Sequence, residues 1–452
     1  MKSINPATGE LIRKYETHSN EQALSIVSKS GEAWIDWKST DFSLRSKKMK
    51  RAAFILREQN EELAQLMTLE MGKVIHEARA EIEKCAWVCE FYADNAESFL
   101  ADEMVETNAS KSFVSFEPLG IVLAVMPWNF PFWQVFRFAA PALMAGNAAV
   151  LKHASNVPGC ALAIESIFIQ AGFPENLFRT LMISANQVEP VIMNPHIRAI
   201  TLTGSEAAGM KVASIAGRAL KKTVLELGGS DPYIVLEDAD IDKCVATAVN
   251  ARMINNGQSC IAAKRFIVVE SRLEEFETKK AEIMSTLLVG DPLLADTQVG
   301  PLARADLRDE LHEQVKASLD DGARLLLGGK SIPGPGFFYE PTVISDVRRG
   351  MSLYHEETFG PVSAIIPVKD AEQAIEVAND SEFGLGGSLW TNDLVRGEKL
   401  ARQVESGAVF VNGMTVSDPR LPFGGIKRSG YGRELSYFGI REFTNIKSIW
   451  IA

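Results

Sequence analysis

Two doubly wound α/β domains with a small additional β segment are the fold that this sequence predicts. The chain has 452 residues, about three domains' worth at roughly 150 residues per domain. Hydrophobic residues make up 46% and charged residues 23% of the chain, an ordinary globular composition. Two successive series of short apolar runs, with helical patterns between them, indicate parallel sheets built from strand–helix–strand units.

Composition excludes several classes of function. Lys and Arg number 47 and Asp and Glu 58, so the net charge is −11 and the mean field repels nucleic acid and anionic membranes. The apolar runs at 119–126 and 139–151 are too short to span a bilayer. The first residues contain no apolar signal-peptide core. We therefore expect a cytoplasmic protein with neither a nucleic-acid partner nor a membrane partner.

The five cysteines do not form a disulfide framework, because their number is odd and the chain is long. Cys85 and Cys89 lie four residues apart on one face of a predicted helix. No His or further Cys lies near them in sequence, so we expect packing residues there and no metal site.

The first hundred residues are predicted to be helical. Apolar residues at helical spacing predict one long helix over 43–71 and another over 74–99. The pattern then alternates over 111–116 and meets a Glu-Pro pair at 117–118, which suggests a hairpin.

The remainder alternates between strands and helices in two series that join near residue 235. The first series has predicted strands at 121–125, 148–151, 197–203, 223–225 and 233–236, with helices at 160–170 and 207–220. The second series has predicted strands at 265–269, 362–368, 386–390 and 408–411. The tail at 443–451 is strand-like with no partner nearby in sequence, and such an edge invites pairing with another chain. We therefore expect an oligomer.

Two short motifs carry candidate catalytic groups. The stretch NNGQSC at 255–260 places the Cys260 thiol at a turn whose backbone amides can lower its pKa and form an oxyanion hole. The alternative for Cys260 is a buried packing residue. The stretch VLELGG at 224–229 places Glu226 at an apolar strand end, where burial raises a carboxyl pKa towards that of a general base. The alternative for Glu226 is a helix cap or an ion pair.

Three further turns have features of a binding site. The stretch MPWNFP at 126–131 holds Asn129 between two prolines, where its amide can donate to an oxyanion, or else forms a packed aromatic turn. The stretch beginning LTGS at 202–205 is a strand that ends in a Gly-Ser turn before a helix, which suits a pyrophosphate. The stretch HEETFGP at 355–361 is an acidic and aromatic turn before a strand. The chain contains no GxGxxG fingerprint.

Taken together and in this order, the motifs PWNFP, LTGS, LELGG, GQSC and EETFGP resemble those of the aldehyde dehydrogenase superfamily. The resemblance runs from NPATG at 5–9 to GRE at 432–434. It implies a Rossmann-like cofactor domain (1–105 and 125–234) and a catalytic domain (235–430). It also implies an oligomerisation segment (106–124 and 431–452) in a homodimer or homotetramer.

The resemblance also implies a two-step oxidation of an aldehyde. Cys260 attacks the carbonyl, Asn129 and the Cys260 amide hold the oxyanion, and hydride leaves to a nicotinamide. Glu226 then activates water to hydrolyse the thioester. Cofactor contacts are implied for eight residues, namely Trp128, Lys152, Ser155, Gly204, Ser205, Leu227, Glu357 and Phe359.

Cofactor choice depends on Ser155, three residues after Lys152. An acidic residue at this position would repel a 2′-phosphate, whereas Ser155 offers a hydroxyl beside the Lys152 ammonium. We therefore expect NADP as the preferred cofactor, with NAD as the alternative. Ser155 could also serve as the N-cap of the following helix.

Substrate choice depends on Arg137 and Ser417. A guanidinium eight residues after Asn129 can bind a carboxylate, and the sequence resembles the succinate-semialdehyde dehydrogenase branch, where Ser417 matches a second carboxylate contact. The chain departs from that branch at Ile254 and Phe138, where many members carry Arg and Lys. We therefore expect oxidation of succinate semialdehyde. The alternatives are another short or apolar aldehyde, a CoA-acylating reaction, or a binding protein without catalysis.

Overall fold

The computed structural model describes residues 1–452 and is a mixed α/β protein, as the sequence predicts. The α-helices in chain order are α1 (Asn20–Trp37), α2 (Phe42–Glu58), α3 (Asn60–Met71), α4 (Ile75–Phe99), α5 (Trp133–Met144), α6 (Pro158–Gln170), α7 (Val188–Met193), α8 (Glu206–Arg218), α9 (Ile241–Met253), α10 (Glu270–Ser285), α11 (Ala305–Asp320), α12 (Ser352–His355), α13 (Ala371–Asn379), α14 (Leu394–Ala401) and α15 (Ser436–Glu442). A short 3₁₀ helix covers Ala185–Gln187, and a tight turn with non-helical backbone covers Ile254–Gly257.

The strands are shorter than the helices and are spread over five sheets. In chain order they are β1 (Lys2–Ile4), β2 (Leu11–Lys14), β3 (Glu103–Met104), β4 (Lys111–Pro118), β5 (Ile121–Met126), β6 (Ala148–His153), β7 (Phe178–Thr180), β8 (Ile197–Thr203), β9 (Lys222–Glu226), β10 (Asp231–Val235), β11 (Ala263–Val269), β12 (Arg324–Leu327), β13 (Thr342–Ser345), β14 (Val362–Val368), β15 (Phe383–Gly384), β16 (Ser388–Trp390), β17 (Phe410–Val411), β18 (Ile426–Lys427), β19 (Gly430–Tyr431) and β20 (Thr444–Ile451).

The first large sheet has the order β19-β9-β8-β5-β6-β7, and its strands are parallel except for β19. The chain moves outward from β5 to β7 and then returns to β8 on the other side of β5, which is doubly wound topology. Its switch point lies between β5 and β8, the place where such sheets bind ligands at the carboxyl ends of their strands. Three of the predicted site turns follow the carboxyl ends of β5, β8 and β9.

The second large sheet has the order β12-β13-β14-β11-β10-β16-β17 and is parallel except for β12. It begins with β10, so residues 227–230 connect the two sheets. The predicted domain limits stay a prediction. Near these limits, strand β10 (231–235) belongs to the second sheet and strand β19 (430–431) belongs to the first sheet.

The prediction of one long helix over 43–71 is wrong, because the structure has two helices separated at Gln59. Gln59 has φ −100° and ψ 12°, and it ends α2 and precedes α3. Both helices pack against α4. The helix predicted over 74–99 is confirmed as α4.

The C-terminal tail is a strand, but the expectation that it lacks a partner in its own chain is wrong. All eight residues of β20 pair antiparallel with β4, from Thr444 opposite Pro118 to Ile451 opposite Lys111. On its other side β4 pairs with β3 across a turn at 105–110. The hairpin predicted around the Glu-Pro pair is therefore wrong, because residues 117–118 end the continuous strand β4 and form no turn within it. The sheet order β20-β4-β3 leaves the outer edge of β20 unpaired.

Cys85 and Cys89 lie buried in the hydrophobic core beside the first sheet, which confirms their packing role. No group of three or more His, Cys, Asp or Glu is arranged to hold a metal ion. No helix combines the length and the apolar character needed to cross a membrane.

Candidate active site

Cys260 lies in a loop with an unusual backbone. Asn255, Asn256 and Gly257 have φ values of 54°, 56° and 76°, so three successive residues adopt the left-handed conformation. Among residues with a side chain, Asn tolerates this conformation best, which explains the Asn-Asn-Gly sequence. The turn brings the chain from α9 into β11 and leaves Cys260 between the two large sheets.

Buried amide side chains anchor this loop to the rest of the protein. The Asn256 Nδ2 donates to the carbonyls of Gly72 and Pro301 at 3.0 and 3.2 Å, and its Oδ1 accepts from the Gly300 N–H at 2.8 Å. The Gln258 Oε1 accepts from the Ala303 N–H at 2.9 Å. The position of the thiol is therefore set by long-range hydrogen bonds.

The expectation that local amides lower the pKa of the Cys260 thiol is wrong for this structure. Desolvation raises that pKa to about 12, against the opposing fields of Lys264 and Arg137. The Lys264 Nζ donates to the Ser259 and Cys260 carbonyls at 2.9 and 2.7 Å, so its charge lies beside the nucleophile. The desolvation of the thiol outweighs these favourable charges.

Asn129 is held against the same loop. Its side-chain Nδ2 donates to the backbone carbonyl of Gln258 at 3.1 Å. The backbone carbonyl of Asn129 accepts from the Asn255 Nδ2 at 2.7 Å. A primary amide has two N–H groups, so the Nδ2 of Asn129 keeps one donor for a further acceptor.

Two cavities meet at Cys260, and Gln134 also lines both. The first cavity has a volume of about 250 Å³ and is lined by Asn129 and six of the predicted cofactor residues, namely Trp128, Gly204, Ser205, Leu227, Glu357 and Phe359. The structure thus brings together residues that are up to 231 positions apart in the chain, from 128 to 359.

The lining of the first cavity fits a dinucleotide. Ser205 is the N-cap of α8, so the amides at the start of this helix are available beside the cavity for a pyrophosphate. The Glu357 carboxylate accepts from the Gly229 N–H at 2.9 Å and lies 3.5 Å from the Lys264 Nζ. Desolvation raises the pKa of Glu357, and Lys264 opposes that shift. A Cβ at Gly228 would collide with the Glu357 carboxylate, so the close approach requires glycine.

Lys152 and Ser155 do not line either cavity. Lys152 is half-buried at the end of β6, and desolvation lowers its pKa. Ser155 is exposed in the turn that follows. The alternative that Ser155 caps the next helix is wrong, because the N-cap of α6 is Val157.

Glu226 is also outside the lining of both cavities, although Leu227 and Gly228 line the first. Its carboxylate is buried without a hydrogen-bond partner and lies towards Gly424. Desolvation and the neighbouring Glu434 raise its pKa well above the ordinary value. The buried, raised-pKa carboxyl that the sequence predicts is therefore present, but it lies beside Gly424 and outside both cavities.

The second cavity has a volume of about 300 Å³ and contains Arg137, Ser417 and Ile254. The Arg137 guanidinium is buried and forms an ion pair with Glu434. It also donates to the Thr203 hydroxyl at 3.3 Å. Both predicted substrate residues therefore lie in one cavity with Cys260, but the charge of Arg137 is already balanced within the protein.

The sequence analysis did not identify several polar residues of the site, among them Lys84, Gln134 and Lys264. Gln134 follows the MPWNFP motif by three residues, and Lys264 follows Cys260 by four, so proximity could have indicated both. Lys84 comes from α4 and meets Ser417 across 333 positions of sequence, so no local signal could have found it.

Comparison with known proteins identifies the family of this chain. The model of the aldehyde dehydrogenase family matches residues 1–449. A probable succinate-semialdehyde dehydrogenase [NADP(+)] from Synechocystis sp. is 54% identical over 450 residues, covering 100% of this chain and 99% of the relative. A succinate-semialdehyde dehydrogenase [NADP(+)] from Mycobacterium avium is 50% identical over 453 residues, covering 99% of this chain and 96% of the relative.

Among solved structures, the succinic semialdehyde dehydrogenase of Streptococcus pyogenes in complex with NADP+ superimposes with a TM-score of 0.98. It is 38% identical, and the alignment covers 100% of this chain and 99% of that chain. The full-length family match and the shared fold lead to one conclusion: this chain belongs to the aldehyde dehydrogenase family.

Proposed function

We propose that this protein oxidises succinate semialdehyde to succinate with NADP as the preferred cofactor. The observation that carries the proposal is the placement of Cys260 at the junction of two cavities, one that fits a dinucleotide and one that contains cationic side chains. The relatives named succinate-semialdehyde dehydrogenase [NADP(+)] support the same substrate and cofactor.

In the proposed reaction the Cys260 sulfur attacks the aldehyde carbon, and the free N–H of Asn129 with the Cys260 backbone amide holds the oxygen that becomes negative. When bound, the nicotinamide supplies the hydride acceptor that takes the carbon from the aldehyde to the acid level of oxidation. Lys264, beside the Cys260 carbonyl, favours the thiolate. Predicted contacts hold the cofactor: Trp128, Gly204, Ser205, Leu227, Glu357 and Phe359 around the first cavity, with Lys152 and Ser155 at the adenosine end.

Hydrolysis of the thioester needs a base, and Glu226 is the proposed one. Its carboxyl has to turn from its place near Gly424 towards Cys260, and the adjoining Leu227 and Gly228 already border the first cavity. A carboxyl with a raised pKa is a suitable acceptor for the proton of water. A Glu at this position also argues against the CoA-acylating alternative, because that reaction must avoid hydrolysis.

We test the proposal by following absorbance at 340 nm with succinate semialdehyde and either NADP or NAD. Saturable turnover without CoA, faster with NADP, is the expected result, and Ser155→Glu should reverse the cofactor preference by repelling the 2′-phosphate. Cys260→Ala should abolish turnover. A strict need for CoA would favour the acylating reaction, and faster turnover of apolar aldehydes would contradict succinate semialdehyde as the substrate.

We further propose that the enzyme works in the cytoplasm as a homodimer or homotetramer. The unpaired outer edge of β20 supports association, because an exposed strand edge offers a row of free backbone donors and acceptors. The oligomerisation segment (106–124 and 431–452) would then contribute through the sheet β20-β4-β3.

A further inference from the structure

The second cavity is lined by two acidic side chains, Glu77 and Glu81, and by two cationic side chains, Arg137 and Lys84. The two cations differ in how their charge is balanced. Arg137 forms a buried ion pair with Glu434. Its guanidinium also lies over the ring of Phe423, 4.5 Å from the centroid. An arginine that is already paired and stacked gains less from a substrate carboxylate, because the new contact must compete with Glu434.

Lys84 in the same cavity has no carboxylate partner. Its Nζ donates to the Ser417 hydroxyl at 2.8 Å and lies 4.3 Å from the centroid of the Trp133 ring. The two carboxylates near enough to raise the pKa of Lys84 form ion pairs with other cations. Glu81 pairs with Lys73, and Asp418 pairs with Arg420. The ammonium of Lys84 is therefore an uncompensated charge that faces the cavity.

We infer that Lys84 binds the carboxylate of the semialdehyde together with Ser417, and that it is a specificity-determining residue of this site. The inference rests on the proposed function. Because the Ser417 oxygen accepts from Lys84, its own hydroxyl proton is left to donate. An ammonium and a hydroxyl together supply two donors for the two oxygens of a carboxylate.

This pair also compensates for a missing residue. Ile254 lines the cavity at a position where an arginine would supply the second cation, so Arg137 alone would face the substrate. Lys84 comes from α4 and not from the loop that carries Ile254, and it supplies a second positive charge in the same cavity.

The charge on Lys84 depends on pH. Desolvation and the neighbouring Arg137 lower its pKa to about 8, whereas Cys85, Glu81 and Asp418 act in the opposite direction. The semialdehyde carboxylate is ionised throughout this range, so its KM should rise as the pH increases above 8. Butanal has no carboxylate, and its KM should not follow the same curve.

The test compares kcat/KM for succinate semialdehyde with kcat/KM for butanal in the full-length enzyme with NADP. Lys84→Met should lower the ratio of these two values by roughly tenfold to hundredfold, the effect of losing a charged hydrogen bond. Lys84→Arg keeps the charge and should retain most of the ratio while removing the rise in KM above pH 8. Lys47→Met, an exposed lysine on α2, is the matched control and should change neither quantity.

The outcomes separate the inference from the proposed function. A wild-type enzyme that prefers succinate semialdehyde, with Lys84→Met keeping that preference, overturns the role of Lys84 alone. A wild-type enzyme without that preference overturns both. If Lys84→Met fails to fold, the wild-type pH profile decides: a KM for succinate semialdehyde that is flat across pH 8 contradicts the inference.

Discussion

At the scale of single residues, the protonation of Cys260 limits the first chemical step. Desolvation holds the thiol pKa at about 12, so only a small thiolate fraction exists near neutral pH. Below the pKa this fraction increases about tenfold for each pH unit. We expect the rate of Cys260 alkylation by iodoacetamide in the cofactor-free enzyme to follow this slope from pH 7 to pH 9.

A variant of Lys264 tests the same prediction, because the charge of Lys264 lowers the pKa of the Cys260 thiol. Lys264→Met should slow alkylation at every pH in the range. Cys260→Ala is the control for labelling elsewhere, since the other four cysteines are buried. A rate that reaches a plateau near pH 7 would contradict the raised pKa.

Glu77 is a second residue whose titration has a measurable consequence. Its carboxylate accepts from the Asn255 N–H at 2.9 Å, and desolvation raises its pKa from 4.5 to about 7. Because the folded pKa is the higher one, the unfolded chain ionises first, and the fold loses stability as the pH rises from about 4.5 to about 7. The loss is at most about 3 kcal/mol.

Glu77→Gln removes this titration but keeps an acceptor for Asn255. The melting temperature of the variant, relative to wild type, should therefore increase by a few degrees between pH 5 and pH 7.5. Scanning fluorimetry at both pH values checks the prediction. Glu97 is an exposed carboxyl on the same helix, so the melting temperature of Glu97→Gln relative to wild type should not change between the two pH values. An equal increase in both variants would contradict the assignment of this titration to Glu77.

Seven residues of the first cavity, besides Cys260, could be predicted because each belongs to a short motif next to a strand. Trp128 and Ser205 follow parallel strands whose carboxyl ends share one edge of a sheet, so local sequence sufficed to place them. Lys84 could not be predicted, because its site exists only when α4 packs beside residue 417. The direction of the Glu226 side chain is likewise a product of tertiary packing around Gly424.

At the scale of elements, hydrophobic spacing identified α4 and nine strands of the two large sheets. It did not identify the end of α2 or the strands β7, β12, β13 and β19. Gln59 and Asn60 carry no Pro or Gly signal, so the helical spacing runs on through the break. Both α2 and α3 pack against α4, a long-range contact that is absent from the local pattern. Similarly, the spacing of the tail predicted a strand but could not show that its partner is β4.

The catalytic loop is the element with the sharpest backbone requirement. Gly257 has φ 76°, and an added Cβ would collide with the Gly360 carbonyl. We expect Gly257→Ala to displace the loop and lower kcat by about a hundredfold, the loss typical of misplacing a reacting group by about 1 Å. Steady-state kinetics with a circular dichroism spectrum checks both activity and fold.

Gly217→Ala is the matched control for that substitution. Gly217 lies in α8, where an added Cβ meets nothing within 4 Å. The change should leave kcat unaltered and stabilise the protein by roughly 0.5–1 kcal/mol through helix propensity. Equal losses of activity in the two variants would show that the Gly257 conformation has no special role.

At the scale of the whole molecule, the site forms where the carboxyl ends of strands in the first sheet meet the amino ends of strands in the second sheet. Asn129 and Ser205 follow the carboxyl ends of strands in the first sheet, whereas Cys260 and Glu357 precede the amino ends of β11 and β14 in the second. Neither sheet alone contains both the nucleophile and the side-chain oxyanion donor Asn129. The relative position of the two sheets therefore sets the geometry of the reaction.

The outer edge of β20 has a consequence for the assembly. Ile446 and Trp450 on this strand are 62% and 56% exposed, which leaves large apolar side chains beside unpaired backbone groups. We expect copies of the chain to associate through this edge. The double variant Ile446→Lys/Trp450→Lys should therefore shift the mass measured by light scattering after size exclusion towards that of the 49.6 kDa chain.

The control for this effect replaces apolar residues of equal exposure elsewhere. Leu394 and Val395 in α14 are 64% and 68% exposed and lie outside the three-stranded sheet. Leu394→Lys/Val395→Lys adds the same charge and should leave the assembly intact, because α14 presents no unpaired strand edge. A mass that stays unchanged in the β20 variant, or falls equally in both variants, would place the association surface away from this edge.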